Sequence, residues 1–327
     1  MGVKAKFLDH AMRSLVLLLV LAFATLLSEH KCPSPVRTEY PTAGNAVDAV
    51  EKLHIADEFQ TPCVFSAPFT TRLATVEELL ATESQEILNA LGQSNRLHRK
   101  QWEFVFIIKA LREKEMLKPG KRALVFAAGT EPLISYFANE GVHVTATDMD
   151  ASGAVDAGWA TTNQHAASKE SLYISDLIDR DKFDRLVQYR TLDMNDLKTD
   201  LFNQFDFIWS TCSLEHVGSI LLGQRFALDS MRLLKPGGLA VHTTEFTLSS
   251  LRETIRLGPT VLWTLRDVEE MLASATILKY RLWDRCLYAG GHEIDQTPDL
   301  PPYKDEEHMK LELGGHILTS VGWVMEK

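Results

Sequence analysis

The sequence ALVFAAGTEPLISYFANEGVHVTATDMD, residues 123–150, decides the fold, because it reads as a strand, a turn, a helix and a second strand. Ala123 to Ala128 is an apolar run with the length of a buried strand. Leu133 to Asn139 continues as a helix, and Gly141 ends it, since glycine readily takes the left-handed conformation that follows many helices. The alternating run from Val142 to Thr147 predicts the second strand.

The turn between the first strand and the helix is made of small residues, Ala127, Ala128 and Gly129. Small side chains let a ligand approach the backbone closely, and the start of the helix presents free N–H groups to it. We expect Thr130 to cap this helix, with Pro132 in its first turn.

An acid, Asp148, follows Gly129 by 19 residues and ends the second strand. A carboxylate at this place can hold both ribose hydroxyls of an adenosine cofactor. The dinucleotide fingerprint GxGxxG is absent, since Ala127, Gly129 and Pro132 occupy its glycine positions, and Glu131 brings a carboxylate where a pyrophosphate would lie. The stretch therefore favours S-adenosylmethionine, which has no phosphate, over a nicotinamide dinucleotide. The alternative is an ordinary βαβ unit of an α/β protein.

Length and composition describe a globular chain with room for one large domain and an accessory segment. Its 327 residues are 45% hydrophobic and 24% charged, and the net charge of −10 argues against nucleic acid as the main partner. Four cysteines, Cys32, Cys63, Cys212 and Cys286, show no CxxC spacing and no zinc signature. They indicate neither a metal site nor a disulfide-stapled fold.

Residues 1–31 differ from the rest of the chain. Basic residues precede the apolar run Leu15 to Leu27, which matches a signal peptide or a short signal anchor. This run is shorter than the ~20 residues that a membrane span needs. Membrane attachment through residues 14–28, or the secretory pathway, is favoured over a cytoplasmic location. The alternative is a hydrophobic N-terminal helix that packs on the domain.

The remaining chain divides into an accessory segment, residues 32–95, and a main domain, residues 96–327. The accessory segment begins with a proline-rich loop and then carries a predicted helix, Thr75 to Leu91, in which Thr75 and Glu78 form a capping box. The main domain opens with a second predicted helix, Arg96 to Leu111, directly before the first strand.

Strand and helix patterns alternate along the main domain, with breaks at regular intervals. Further strands are predicted at Leu186–Leu192, Phe205–Ser210, Leu239–Thr243 and His316–Val324. The alternation predicts a doubly wound, Rossmann-like α/β fold with a seven-stranded, mostly parallel sheet and helices on both faces.

Five stretches, in this order, carry a family resemblance: ALVFAAGTEPL, VTATDMD, LDMN, FDFIWSTCSLEHVGS and LLKPGGLAVHTTEF. Together they resemble a class I S-adenosylmethionine-dependent methyltransferase of the type 11 or 12 kind. The resemblance covers about residues 96–327. It implies an enzyme that uses S-adenosyl-L-methionine to methylate an oxygen or nitrogen atom of a small molecule or saccharide.

The cofactor site that the resemblance implies lies on the turn and at the ends of the next three strands. Asp148 would hold the ribose, Asp193 would accept from the adenine amino group, and Met194 would pack on the ring. The implied residues are Ala127, Ala128, Gly129, Glu131, Asp148, Met149, Asp193, Met194 and Ser210.

The chain departs from the family pattern at Val125, where an acid is usual, and at Ala127 and Glu131, where glycines are usual. These departures leave the contacts to the methionine part of the cofactor open, with Arg96 or Lys100 as candidates. They also keep a second interpretation open, a non-catalytic protein of the same fold that binds a partner. A nicotinamide oxidoreductase is disfavoured because GxGxxG is missing.

Candidates for a general base follow the fourth and fifth strands, because ligands bind at the carboxyl ends of parallel strands. His216 is the first candidate, with Glu215 either orienting the imidazole or acting as the base itself. His242 and Glu245 are second candidates. The alternative for His216 is a packing or capping role at the start of a helix.

Overall fold

The computed structural model of the protein describes residues 54–63, 69–94, 96–150, 153, 165–304 and 307–327. The predicted targeting segment, residues 1–31 with the attachment run 14–28, lies outside the described residues. In the part of the chain that is described, no helix combines the length and the apolar character needed to cross a membrane.

Nine of the described strands form one sheet, and two more form a separate two-stranded ribbon. The strands are β1 Thr71–Leu73, β2 Leu97–His98, β3 Arg122–Phe126, β4 His143–Asp148, β5 Val187–Thr191, β6 Phe205–Ser210, β7 Leu234–Thr247, β8 Arg285–Cys286, β9 Glu307–His308, β10 Leu311–Leu313 and β11 His316–Glu326. The main sheet has the order β5-β4-β3-β6-β7-β11-β1-β8, with β10 beside β11, and β2 pairs with β9.

The helices bounded by described residues lie between and before these strands. They are α1 Val76–Leu80, α2 Thr82–Ala90, α3 Arg99–Glu113, α4 Leu133–Asn139, α5 Arg180–Leu186, α6 Ile220–Ser230, α7 Leu265–Ile277 and α8 Glu293–Gln296. Helix α4 connects the parallel strands β3 and β4, and α6 connects the parallel strands β6 and β7.

The strand pairing confirms the doubly wound, mostly parallel α/β fold. Strands β5, β4, β3, β6 and β7 are all parallel neighbours, and β11 adds an antiparallel strand beside β7. The sheet has nine strands rather than the predicted seven. Strands β1, β8 and β10 are only two or three residues long, too short to show periodicity. Strand β1 comes from the segment predicted to be accessory.

Two hydrophobic cores cover the two faces of the sheet. Val241 of β7 belongs to the core that includes the residues of α3, whereas Ala240 belongs to the core that includes Phe226 of α6. Successive side chains of a strand point to opposite faces. Thr243 and Glu245 therefore share the face of α3, and His242 shares the face of α6.

One predicted helix is divided in two, and the predicted cap of another is wrong. The run Thr75 to Leu91 breaks at Ala81, whose extended backbone (φ −58°, ψ 142°) separates α1 from α2. Thr75 caps α1, but the Glu78 carboxylate binds Arg72 and Trp102 instead of completing a capping box. The predicted cap at Thr130 is wrong, because α4 begins only after Pro132 and has no side-chain cap.

A disulfide bond joins Cys63 to Cys286 of β8, with their Cα atoms 5.8 Å apart, although the cysteine spacing does not indicate it. The two cysteines are 223 residues apart. Only the folded chain brings them together, so no spacing rule could reveal the pair. Cys212 is a free thiol.

Candidate functional site

The predicted cofactor turn follows β3 and has left-handed backbone geometry. Ala127 has φ 48° and Gly129 has φ 51°. An alanine adopts the left-handed region at a cost of roughly 1–2 kcal/mol. The fold therefore imposes a glycine-like conformation on Ala127. The N–H of Ala128 donates to the carbonyl oxygen of Thr147 at 2.9 Å, which ties the turn to β4.

Asp148 lies beside this turn and helps to hold it. Its buried carboxylate accepts backbone N–H groups from Gly129 at 2.9 Å, Met149 at 2.8 Å and Ala166 at 3.1 Å. An ionised carboxylate has about four acceptor positions, so these bonds leave capacity for a ligand hydroxyl. The structure thus brings the turn and the predicted ribose acid together, and it gives Asp148 a structural role as well.

Glu131 is buried against the end of β6. Trp209 donates from Nε1 to its carboxylate at 2.6 Å, and the Thr211 hydroxyl donates to its other oxygen. Burial raises the pKa of Glu131 to about 7, although these hydrogen bonds and Lys100 act in the opposite direction. Because Lys100 acts electrostatically on Glu131, this cation of α3 lies near the turn. Lys100 is one of the two candidates for the contacts to the methionine part of the cofactor.

The remaining predicted cofactor residues do not all join the turn. Asp193 is exposed, and its carboxylate accepts the N–H of Asn195 at 2.8 Å. Met194 packs against the core on the α6 face. Ser210 is fully buried and makes a 2.8 Å hydrogen bond to Nδ1 of His242. Its hydroxyl therefore serves the interior of the fold.

His242 and Glu245, the second candidates for a base, point to opposite faces of the sheet. His242 is enclosed between Ser210 and Ser230, and burial lowers the pKa of its imidazole to about 3. It is a neutral residue of the core. Glu245 lies on the α3 face, where Nη2 of Arg99 donates to its Oε1 at 2.5 Å. The two residues cannot act as one pair.

A buried polar network centres on Glu103 of α3, which the sequence did not single out. Although burial opposes ionisation, Lys100 and Arg99 lower the pKa of Glu103. Side chains from α3, the loop after β6, β7 and β11 donate to it. They are Ser320 at 2.7 Å, Thr243 at 2.9 Å, Cys212 at 3.0 Å and Lys100 at 3.2 Å.

Arg99 extends this network to the carboxyl ends of β6 and β7. Besides Glu245, its guanidinium donates to Sγ of Cys212 and to Oγ of Ser320, both at 3.3 Å. Burial works against its charge, but Glu245 and its other neighbours raise the pKa of Arg99 above its ordinary value.

One signal for this network was available in the sequence, since Glu103 interrupts the apolar face of a helix at the position four residues after Arg99.

Glu215 and His216, the first candidates for a base, lie after β6 as expected. The fully buried Glu215 accepts the Thr244 hydroxyl at 2.8 Å through Oε2, while Oε1 has no partner among the described residues and lies 3.9 Å from Nε2 of His216. Burial raises the pKa of Glu215. Nδ1 of His216 donates to the carbonyl oxygen of Pro259 at 2.9 Å.

A second histidine–carboxylate pair, absent from the sequence predictions, lies on the β2–β9 ribbon. Nδ1 of His308 contacts Oδ2 of Asp299 at 2.7 Å. The imidazole of His308 stacks on that of His98, with ring centroids 4.9 Å apart, and Tyr303 packs against its edge at 5.4 Å. Among the described residues, no group of three or more His, Cys, Asp or Glu side chains could hold a metal ion.

Comparison with known proteins identifies the central part of the chain. Residues 124–242 match the methyltransferase domain family. No curated protein sequence matches the chain significantly.

Similar solved structures include three methyltransferases. The S-adenosylmethionine-dependent methyltransferase from Mesorhizobium loti is 13% identical over 67% of this chain and 96% of its own, with a TM-score of 0.41. Phosphoethanolamine N-methyltransferase 2 of Haemonchus contortus, in complex with phosphomonomethylethanolamine and S-adenosylhomocysteine, is 16% identical over 63% of this chain and 45% of its own, with a TM-score of 0.38. A sarcosine dimethylglycine methyltransferase described for Galdieria sulphuraria is 17% identical over 45% of this chain and 46% of its own, with a TM-score of 0.31. The chain thus spans about half the length of the last two proteins.

Proposed function

We propose that the protein, whose residues 124–242 match a methyltransferase domain, uses S-adenosylmethionine to methylate an oxygen or nitrogen atom of a small molecule or saccharide. The observation that carries the proposal is the 2.9 Å contact between Gly129 and Asp148, which joins the cofactor turn to the ribose acid. Both lie at the carboxyl ends of parallel strands, where ligands bind in this class of fold.

The residues around the turn suit S-adenosylmethionine. The glycine-like backbone of Ala127 keeps the small-residue turn open to a ligand, and Asp148 retains acceptor capacity for a ribose hydroxyl. Lys100 acts electrostatically on Glu131 and favours its ionised form. We assign them to the ammonium and carboxylate groups of the methionine part, which carries the same two charges. Asp193 and Met194 are proposed to contact the adenine, and Met149 is proposed to lie beside the ribose.

When bound, the cofactor supplies an activated methyl group on a sulfonium sulfur. The protein then has to hold the acceptor atom in line with that methyl group, and such positioning can lower the barrier by about 7–11 kcal/mol. A group that removes the acceptor's proton adds roughly 10²–10⁴-fold. Glu215 and His216 stay the sequence-based prediction for that group.

The cofactor assignment is tested by calorimetric titration of S-adenosylhomocysteine into the protein and its Asp148→Ala variant. A lost charge-assisted hydrogen bond costs roughly 1.5–3 kcal/mol, so we expect the affinity to fall at least about tenfold. Because Asp148 also accepts three backbone N–H groups, the variant should be less stable as well. Circular dichroism must therefore show that it is folded at the titration temperature.

Asp148→Asn, which keeps one acceptor oxygen, provides a milder variant if Asp148→Ala unfolds. Asp176→Ala, an exposed aspartate before α5, is the matched control and should bind like the parent protein. A folded Asp148 variant with unchanged affinity would show that the ribose site is misplaced. A parent protein that binds neither S-adenosylhomocysteine nor S-adenosylmethionine would favour the non-catalytic alternative.

A further inference from the structure

The pair formed by Asp299 and His308 has the geometry of an oriented proton acceptor. A carboxylate oxygen only accepts, so the 2.7 Å contact means that Nδ1 of His308 carries a proton and donates it to Asp299. Asp299 is itself fixed, because the same oxygen accepts the N–H of Lys304 at 2.8 Å and its own N–H donates to the carbonyl of Lys310 at 2.8 Å. The two side chains are only 10% and 4% exposed.

The opposite ring nitrogen of His308 makes no hydrogen bond to a described residue. In the described part of the chain, the imidazole makes one hydrogen bond, the one from Nδ1 to Asp299, and Nε2 is not among the enclosed polar atoms without a partner. A neutral imidazole with its proton on Nδ1 has a lone pair on Nε2. Asp299 therefore directs a basic nitrogen away from itself, and it can stabilise the imidazolium that forms when Nε2 takes up a proton.

The pair lies next to the carboxyl edge of the sheet. His308 pairs in register with His98, which caps α3 by accepting the N–H of Lys100 on Nδ1 at 3.0 Å. The next residue, Arg99, reaches Glu245 near the end of β7. His98 is thus one residue from the polar network that joins α3 to the ends of β6 and β7, and His308 stacks on His98.

The groups that face His308 leave the role of proton acceptor to it alone. Burial, together with the charge of Arg99, lowers the pKa of His98 to about 3, so that imidazole stays neutral. Burial and nearby carboxylates raise the pKa of Tyr303 to about 12, so its phenol stays protonated. Asp299 is the carboxyl group in contact with the His308 ring.

The pair after β6 is built differently. Nδ1 of His216 faces the carbonyl oxygen of Pro259, and Nε2 faces Oε1 of Glu215 at 3.9 Å. Both ring nitrogens are directed at protein atoms, and Glu215 itself is fully buried. The imidazole of His216 is thus fixed by a backbone carbonyl, whereas that of His308 is fixed by a carboxylate.

We propose that His308, oriented by Asp299, removes the acceptor's proton during methyl transfer, an inference that rests on the proposed function. The bond that forms joins the acceptor oxygen or nitrogen to the methyl carbon. The bond between sulfur and that carbon breaks, and its electron pair stays on sulfur. The acceptor's proton passes to Nε2 of His308. His308 is thus the catalytic residue, and Asp299 is a positioning residue that fixes the tautomer and the ring orientation.

The first test compares single variants in a transfer assay. Radiolabelled S-adenosylmethionine is incubated with a panel of monosaccharides, amino sugars and amino alcohols. We expect His308→Ala to lower kcat by about 10²–10⁴ while the affinity for S-adenosylhomocysteine is unchanged. Asp299→Asn should lower kcat with little effect on KM and should change the pH dependence of kcat. His143→Ala, an exposed histidine at the start of β4, is the matched control and should be neutral.

The second test needs no acceptor. Long-range ¹H–¹⁵N spectra of the histidine rings, recorded above neutral pH on the complex with S-adenosylhomocysteine, report which nitrogen carries the proton. We expect the proton of His308 on Nδ1, and we expect Asp299→Asn to change this distribution. The resonances are assigned by their loss in His308→Gln, which keeps a donor toward Asp299 and serves as the kinetic variant if His308→Ala does not fold.

Two results would overturn the inference. One is a His308 ring whose proton lies on Nε2 in the parent complex, because such a nitrogen has no lone pair to offer. The other is a folded His308 variant with parental turnover, above all if His216→Ala abolishes it. Loss of S-adenosylhomocysteine binding by Asp148→Ala, together with normal transfer by His308→Ala, would leave the proposed function standing and reject this step alone.

Discussion

The two sides of the candidate site are held together in different ways. On the cofactor side, the turn 127–131 and Asp148, the central contact joins residues only 19 positions apart and uses backbone N–H groups. On the acceptor side, which comprises the start of α3 with parts of β7, β9 and β11, Arg99 binds Glu245 across 146 positions and Glu103 binds Ser320 across 217. Backbone contacts survive most substitutions, whereas each side chain on the acceptor side is needed by its partners. Substitutions should therefore separate the two sides.

The largest effect is expected on the acceptor side, from Glu103→Ala. This change removes the buried carboxylate that faces both Arg99 and Lys100, so Arg99 keeps only Glu245, and Lys100 loses its carboxylate partner among the described residues. Removing one partner of a buried ion pair typically costs about 3–5 kcal/mol. Chemical denaturation should show a decrease of that size in the free energy of unfolding.

Glu83 of α2 provides the control for Glu103. Its side chain is 59% exposed and lies 3.6 Å from the ammonium group of Lys109. Exposed ion pairs contribute about 0–1 kcal/mol, so Glu83→Ala should change the unfolding free energy by no more than about 1 kcal/mol. Equal effects of the two substitutions would mean that the buried network on α3 does not stabilise the acceptor side.

A smaller effect is expected on the cofactor side, from the titration of Glu131. Its pKa is raised from 4.5 to about 7, so the folded protein keeps a proton that the unfolded chain releases. The stabilisation from this group is complete below pH 4.5 and is lost as the pH rises to about 7. Within that window the slope is at most about 1.4 kcal/mol per pH unit.

The measurement compares the unfolding free energies of the parent protein and of Glu131→Gln across this range of pH. Glutamine cannot ionise, so the stability difference between the two proteins should shift in favour of the variant as the pH rises. If the unfolding free energies of the two proteins change in parallel with pH, Glu131 is already ionised at low pH. The cofactor side would then carry a permanent negative charge.

The same contrast explains what could be predicted from the sequence. The unit from β3 to β4 could be recognised because its turn, helix and terminal acid are contiguous, and β6 was placed at its observed bounds, Phe205–Ser210. The register of β7 could not be predicted, so the sequence did not show which of the two second candidates, His242 or Glu245, lies on the face of α3. A one-residue change of register exchanges the two faces of a strand.

The acceptor side could not be predicted because its parts are far apart in the chain. His98 and His308 meet only when β2 pairs with β9, two strands of two residues each, too short to show alternation. Asp299 and the disulfide partner Cys63 carry no local motif. Glu103 alone gave a sign, since a charge within an apolar helical run requires a buried partner.

The smallest effect is expected at Asp193, whose proposed contact with the adenine amino group would complete the cofactor side. Its carboxylate is exposed and already accepts one N–H, from Asn195. A single hydrogen bond contributes about 0.5–1.5 kcal/mol net, so Asp193→Ala should weaken S-adenosylhomocysteine binding by roughly two- to tenfold, less than Asp148→Ala. Asp196→Ala, an exposed neighbour, should not change the affinity. If Asp193→Ala weakens binding more than Asp148→Ala does, the ribose and adenine assignments must be exchanged. If the affinity of Asp193→Ala equals that of the parent protein, we infer that backbone groups hold the adenine. The cofactor side would then depend on main-chain contacts even more than the turn alone indicates.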